Sequence, residues 1–181
     1  MRRFDLMYQV NTRGTFMVSK YAIAHLEKGR NPHILMNSPP LDFQEKWFAG
    51  STAYSIAKCG MSLVALGLAG ELRGKIAVNA LWPRTTIATS AIKNLLGGDR
   101  VMRMSRTPEI LAEAAYRIFL KPAETFTGNF LIDDTFLAGE GVSDFEKYRV
   151  NPREPLAPTF FVPEQPPPPP GVEVSGERWI E

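Results

Sequence analysis

Along residues 4–27, apolar side chains recur at helical spacing: Phe4, Met7 and Tyr8, then Phe16, Tyr21, Ile23 and Leu26. Gly14 interrupts this pattern and predicts a close contact or a local bend, and Gly29 with Asn31-Pro32 ends the helix. The apolar run at 33–36 predicts a buried strand. Ser38-Pro39-Pro40 cannot continue it, since proline has no N–H for a ladder. A loop carrying Trp47 and Phe48 leads to a second helix over 51–73, lined by Ala53, Ala57, Gly60, Ala65, Gly67, Ala69 and Gly70 and stopped by Gly74. Residues 76–81 predict a second buried strand, and Trp82-Pro83 opens the loop after it. Thr107, Pro108 and Glu109 read as N-cap, first-turn proline and first-turn acid of a helix over 108–120. Residues 126–132 predict a third strand, with Gly128 near its start, and Asp133-Asp134 opens another short helix.

Helices alternating with continuously apolar strands indicate an α/β fold, a parallel sheet covered on both faces. The pattern divides the chain into a folded part, 1–150, and a proline-rich tail, 151–181. The tail includes five consecutive prolines at 166–170, which favour polyproline II. The expectation for it is an extended or partly disordered segment. Recognition of the proline run by an SH3-like partner is the less favoured reading.

Composition narrows the class. With 44% hydrophobic and 22% charged residues, the 181-residue chain has the balance of a globular protein with one real core. A net charge of +2 argues against nucleic acid or an anionic membrane surface as partner. Cys59 is the single cysteine, so no internal disulfide forms and a reducing compartment is expected. No apolar run is expected to span a bilayer. Arg2-Arg3 is too little for a presequence, and Trp179-Ile180-Glu181 is not a peroxisomal ending. The default expectation is the cytoplasm, with peroxisome or mitochondrion as alternatives in a eukaryote. His25 and His33 lie in no cluster at ligand spacing, so no metal site is expected.

The chemistry centres on Tyr54 and Lys58. Four residues apart on a helix, they share one face. A phenol with a pKa of about 10 is a poor proton donor or acceptor at neutral pH, and a nearby ammonium lowers that value. Such a pair makes a general acid for a carbonyl or a general base for an alcohol. The same spacing also describes a packed tyrosine beside an exposed lysine. The predicted sheet favours the first reading, because ligands of open parallel sheets bind beyond the carboxyl ends of the strands. Ser38, the 82–86 stretch and Asp133-Asp134 each follow a predicted strand.

The ordered series Asn11-Thr12-Arg13-Gly14-Thr15-Phe16, Asn37-Ser38, Tyr54-x-x-x-Lys58, Asn79-Ala80-Leu81-Trp82-Pro83 and Phe126-Thr127-Gly128-Asn129-Phe130 resembles the second half of a short-chain dehydrogenase/reductase. The resemblance covers residues 4–163. It implies a three-layer Rossmann-like parallel sheet, truncated to its C-terminal portion, and an oxidoreductase using NADP or NAD on a small carbonyl or alcohol, with a hydrophobic or lipid-like substrate. It implies that Tyr54 exchanges the proton, that Lys58 lowers the Tyr54 pKa and binds the nicotinamide ribose, and that Asn11, at a helix irregularity, holds a water of the proton relay. Ser38 would hydrogen-bond the substrate oxygen. The 83–89 loop would hold the nicotinamide carboxamide through Pro83, Ile87 and Thr89. It further implies a homo-oligomer through helices 4–27 and 51–73.

Three departures stand out. Ser38 precedes Tyr54 by sixteen residues, where the family uses thirteen. A strict alignment places Pro39 at the serine position, a three-residue insertion restores Ser38, and Ser51 is a weaker substitute. The usual Pro-Gly is Pro83-Arg84 here, so Arg84 is read either as a contact to an acidic substrate group or cofactor phosphate, or as a solvated loop arginine. The glycine-rich phosphate turn is not in this sequence. The isolated chain is therefore expected to be unstable and to bind a dinucleotide poorly. An inactive fragment serving as an oligomerisation or interaction module is the alternative function.

Overall fold

The computed structural model describes residues 1–176, so Trp179-Ile180-Glu181 lies outside the described residues. The chain forms two compact units, one of Met1–Trp82 with Arg117–Leu131 and one of Pro83–Tyr116 with Ile132–Glu181.

In the first unit the predicted opening helix is one rod with a defect. Helix α1 (Arg2–Tyr8) runs through a π-helical turn (Gln9–Arg13) into α2 (Gly14–Leu26). The Gly14 N–H reaches back five residues to the Gln9 carbonyl, which is the π-type bond. A Cβ on Gly14 would stand 3.3 Å from that oxygen, so the glycine keeps the turn tight. Strand β1 (His33–Met36) pairs in parallel with β2 (Ala77–Trp82), His33 opposite Ala77 and Met36 opposite Ala80. Strand β3 (Phe130–Ile132) completes the order β1-β2-β3.

Helix α3 (Thr52–Glu71) lies against this sheet. Its Ala65, Leu68 and Ala69 join Leu72, Met36, Ile76, Val78 and Ala80 in one apolar core, with Ile23 and Leu26 of α2 packed on it. By length and composition alone α3 is apolar enough to cross a bilayer, contrary to the sequence expectation. The reason is its Ala, Leu, Ile, Val, Met and Cys residues, with Lys58 and Glu71 its only charges. It buries one face and hydrogen-bonds through Ser55 and Ser62, as a core helix does.

The third strand is shorter than the predicted 126–132 because side chains replace part of its ladder. Asn79 of β2 donates from Nδ2 to the Phe126 carbonyl at 2.8 Å. Its Oδ1 accepts from the Asn129 backbone N–H at 3.0 Å and from Asn129 Nδ2 at 2.8 Å. Thr127 Oγ1 accepts from the Val78 N–H at 3.0 Å. Gly128, at φ 81°, turns the chain so that its N–H meets the Val78 carbonyl at 2.8 Å, and the Ala80 N–H meets the Asn129 carbonyl at 2.8 Å. These bonds ascend in both strands, as in a parallel pair.

In the second unit, a π-helical turn (Ile92–Leu96) and α4 (Gly98–Arg103) fill the stretch that carries no periodicity signal. Helix α5 (Glu109–Phe119) and helix α6 (Asp133–Gly139) match the predicted segments closely. Between residues 151 and 176 the chain runs through turns, bends and isolated bridges, and several of its apolar side chains are packed. Leu156, Ala157 and Phe161 are buried, and the Ala157 N–H donates to the Met104 carbonyl at 2.9 Å. Phe161 adopts φ 63°, a left-handed conformation costing an L-residue about 1–2 kcal/mol, which the full burial of its ring holds in place.

The Asn79 network yields a direct prediction. Asn79→Ala removes all three of these side-chain hydrogen bonds, to Phe126 and Asn129, and lowers unfolding free energy by about 2–4 kcal/mol. Urea denaturation should show a shifted midpoint with an unchanged slope; an unchanged midpoint would mean the network is not holding β3.

Candidate active site

Helix α3 carries Tyr54 and Lys58 one turn apart on a common face, both half-buried. Its start is fixed to the preceding loop. Ser55, fully buried, donates to the Trp47 carbonyl at 2.6 Å, and the Trp47 indole N–H donates to Asp42 Oδ2 at 2.8 Å. Burial pushes the Tyr54 phenol up to about 12 and pulls the Lys58 ammonium down. The expected lowering of the phenol by the lysine is therefore replaced by a rise. The physical reason is that loss of water disfavours both charged forms. Lys58 Nζ lies 3.8 Å from the Met61 Sδ and over the Trp82 ring, 5.5 Å from its centre.

Two side-chain bonds tie the other candidates to this helix. Thr12 Oγ1 donates to the Ala57 carbonyl at 3.0 Å, anchoring the π turn that contains Asn11. A Cβ on Gly60 would stand 2.4 Å from that Thr12 oxygen, so glycine is required for the approach. Asn11 itself donates from Nδ2 to the Met7 carbonyl at 2.9 Å. The helix irregularity expected at Asn11 is thus this π turn. On the other side, Ser62 Oγ donates to the Pro39 carbonyl at 2.6 Å and fixes the loop after β1. Ser38 on that loop is fully buried, and its hydroxyl has no hydrogen-bond partner among the described residues. Ser51 lies with its hydroxyl 3.1 Å from that of Ser55. Pro39, the residue that a strict alignment puts at the serine position, has no hydroxyl, and Ser51 is hydrogen-bonded at the start of α3.

The 83–89 loop belongs to the second unit. Arg84 is neither a solvated arginine nor an outward-facing ligand residue. It is 4% exposed, and its Nε donates to both oxygens of Asp134, at 2.8 and 3.0 Å. Arg106, fully buried, bonds the same carboxylate at 3.0 Å. The Arg84 backbone N–H and the Asp134 N–H donate to Asp133 Oδ1 at 2.9 and 2.8 Å. Burial, then repulsion from Asp134, raises Asp133 to about 6. Thr86 and Ala88 supply the peptide groups that bridge to Arg106, so those of Ile87 face the opposite side. Pro83 is buried, and Thr89 is exposed, its hydroxyl oxygen 3.5 Å from the Ile92 N–H. Nothing local in the sequence signals this buried quartet, since the partners of Arg84 lie about fifty residues on.

A family model described as enoyl-(acyl carrier protein) reductase matches residues 1–124. The chain belongs to the short-chain dehydrogenase/reductase family. Among curated relatives, hydroxysteroid dehydrogenase-like protein 2 of Danio rerio is 52% identical over 166 residues, 92% of this chain and 40% of that protein. The Homo sapiens protein of the same name is 50% identical over 91% of this chain and 39% of its own length. A solved Xanthomonas campestris structure named as a dehydrogenase superposes with a TM-score of 0.85 at 47% identity, covering 91% of this chain and 60% of that one. A short-chain dehydrogenase from Mycobacterium thermoresistibile gives 0.84 at 45%, covering 97% and 61%. The chain thus spans 31% to 40% of the length of these curated relatives and carries a partial Rossmann-like fold.

Members of this family work with a nicotinamide dinucleotide, and the residues here fit one end of it. The Ser38 hydroxyl, buried without a partner, and the half-buried Tyr54 and Lys58 suit the nicotinamide end. The glycine-rich turn that would cradle the pyrophosphate is not among these 181 residues.

Asp133 supplies a test of the buried charges. Its folded pKa lies above the ordinary value of 3.8, so its stability contribution is present below that pH and lost as pH rises through about 6. The groups facing it are Arg84, Arg106 and Asp134. Asp133→Asn, which retains the acceptor oxygen, should raise Tm at pH 7.5 and flatten its fall between pH 4 and 6. A lower Tm at every pH would show that the carboxylate is held by its arginines rather than opposed by burial.

Proposed function

We propose that this chain is the catalytic portion of an oxidoreductase that uses NADP or NAD to reduce a carbonyl or oxidise an alcohol on a hydrophobic or lipid-like substrate. The observation that carries the reading is the half-buried face of α3 bearing Tyr54 and Lys58, with the unpartnered Ser38 hydroxyl on a loop bonded to the same helix. When bound, the nicotinamide supplies or accepts the hydride. Tyr54 gives its phenolic proton to the carbonyl oxygen in reduction and takes the hydroxyl proton in oxidation. Ser38 donates a hydrogen bond to that oxygen and stabilises the charge developing there. Lys58 holds the ribose, Asn11 serves the proton relay through its π turn, and the 83–89 loop receives the carboxamide at Ile87 and Thr89. The curated relatives' name speaks of a hydroxysteroid and the family model's description of an enoyl-(acyl carrier protein), which supports a hydrophobic substrate. The cytoplasm remains the proposed location.

The test is a nicotinamide-oxidation assay on the longest form the gene encodes, with hydrophobic ketones as substrates. Tyr54→Phe should lower kcat by about 10²–10⁴-fold while the far-ultraviolet spectrum stays unchanged. Because burial holds the phenol protonated, reduction should be flat from about pH 6 to 9, and oxidation should climb about tenfold per pH unit. Retained activity in Tyr54→Phe ends the proposal.

A second reading, assembly through the helices at 4–27 and 51–73, is favoured by a different observation. An apolar groove of about 630 Å³ runs between them, lined by Tyr8, Phe16, Ile56, Leu63 and Val64, with Leu63 51% exposed. Sedimentation should show a dimer or larger species that Leu63→Asp dissociates; a monomeric wild type at micromolar concentration would dismiss it.

A further inference from the structure

We propose that Arg84 is a positioning residue. It clamps the 83–89 loop between the start of α6 and the C-terminal segment, and so sets the orientation of the Ile87 peptide groups. The inference rests on the reading of that loop as the nicotinamide carboxamide site.

Arg84 is bonded through its backbone N–H and carbonyl, its Nε and its Nη2. Its N–H donates to Asp133 Oδ1 at 2.9 Å, and its carbonyl accepts from the Thr159 N–H at 3.0 Å. Its Nε forks onto Asp134, and its Nη2 donates to Thr135 Oγ1 at 2.6 Å and lies 3.4 and 3.5 Å from the carbonyls of Pro166 and Pro167. The following residues continue the attachment. Thr85 bridges to Pro158, the Thr86 N–H donates to the Ala157 carbonyl at 2.9 Å, and the Ala88 N–H donates to the Arg106 carbonyl at 2.8 Å. The loop is therefore held at 84, 85, 86 and 88, on both sides of Ile87.

Charge accounting supports a geometric role. Arg84, Arg106, Asp133 and Asp134 are all at least 95% buried, and desolvating four charges brings little net stability even when they are paired. What such a network fixes well is geometry. Asp134 is shared between two guanidiniums, which locks the position of Arg84 relative to Arg106, the residue that the 86–88 backbone bridges. Lysine cannot reproduce this, because it offers a point charge where the fork, the Thr135 hydroxyl and the proline carbonyls need a planar set of donors.

Hydrogen exchange on the full chain reads the clamp locally. In Arg84→Gln and Arg84→Lys, the amides of Thr86 and Ala88 should exchange about tenfold faster or more, while those of α3 keep their wild-type rates. Thr135→Val, which removes one acceptor without opening a cavity, should accelerate the same two amides about threefold and serves if the arginine variants fail to fold. Unchanged exchange at 86 and 88, or equal acceleration throughout the chain, overturns the proposal. The same substitutions, made in the longest form the gene encodes and assayed with NADPH and NADH, separate it from the reading beneath it. A loosened loop with a raised KM for the nicotinamide and little change in kcat supports both. A loosened loop with an unchanged KM refutes the carboxamide assignment and leaves the clamp standing.

Discussion

The candidate chemistry depends on how far one face of a single helix is withdrawn from water. Tyr54 and Lys58 sit on that face of α3, and burial moves both toward their neutral forms, the phenol up to about 12 and the ammonium down. An exposed tyrosine at this spacing would titrate near its ordinary value and would gain little from a lysine pointing into solvent. Here the phenol keeps its proton through the neutral range, which suits an acid that meets a developing alkoxide. The reverse reaction then calls for alkaline conditions or for positive charge brought close by what binds there.

That face is held in place by the small residues of α3 and two bonds that leave it. Gly60 admits Thr12 to the Ala57 carbonyl, joining the π turn of Asn11 to the helix. Ser62 reaches the Pro39 carbonyl and fixes the loop of Ser38. Each bond lies within a turn of Lys58. Gly60 is thus a condition for assembling the site, while the buried Ala65 and Ala69 pack on the sheet.

The skeleton was legible in the sequence wherever periodicity was long or apolar runs were continuous. Residues 33–36 are the first strand in both readings, and the 51–73 and 108–120 helices shrink only at their ends, to Thr52–Glu71 and Glu109–Phe119. The 92–96 turn and α4 were invisible because short helices beside Gly97-Gly98 leave no pattern to count. The third strand was overextended because Asn79 and Thr127 bond across the sheet with side chains, which a propensity pattern does not register. For the site, spacing and motif order named Tyr54, Lys58, Asn11 and Ser38. They misjudged Arg84, whose environment is decided by Asp133 and Asp134 about fifty residues away, and they assigned to Lys58 an influence on Tyr54 that burial outweighs. The packed stretch around Leu156 and Phe161 was hidden for a related reason, since proline content says nothing of what the neighbouring side chains touch.

The most direct measurement is an ultraviolet difference titration of the Tyr54 phenol, taken as wild type minus Tyr54→Phe. If burial governs the site, no Tyr54 phenolate forms below about pH 10, in keeping with a phenol raised to about 12. A phenolate appearing near about pH 8, and lost again in Lys58→Met, would show that the ammonium prevails over burial and would contradict the account.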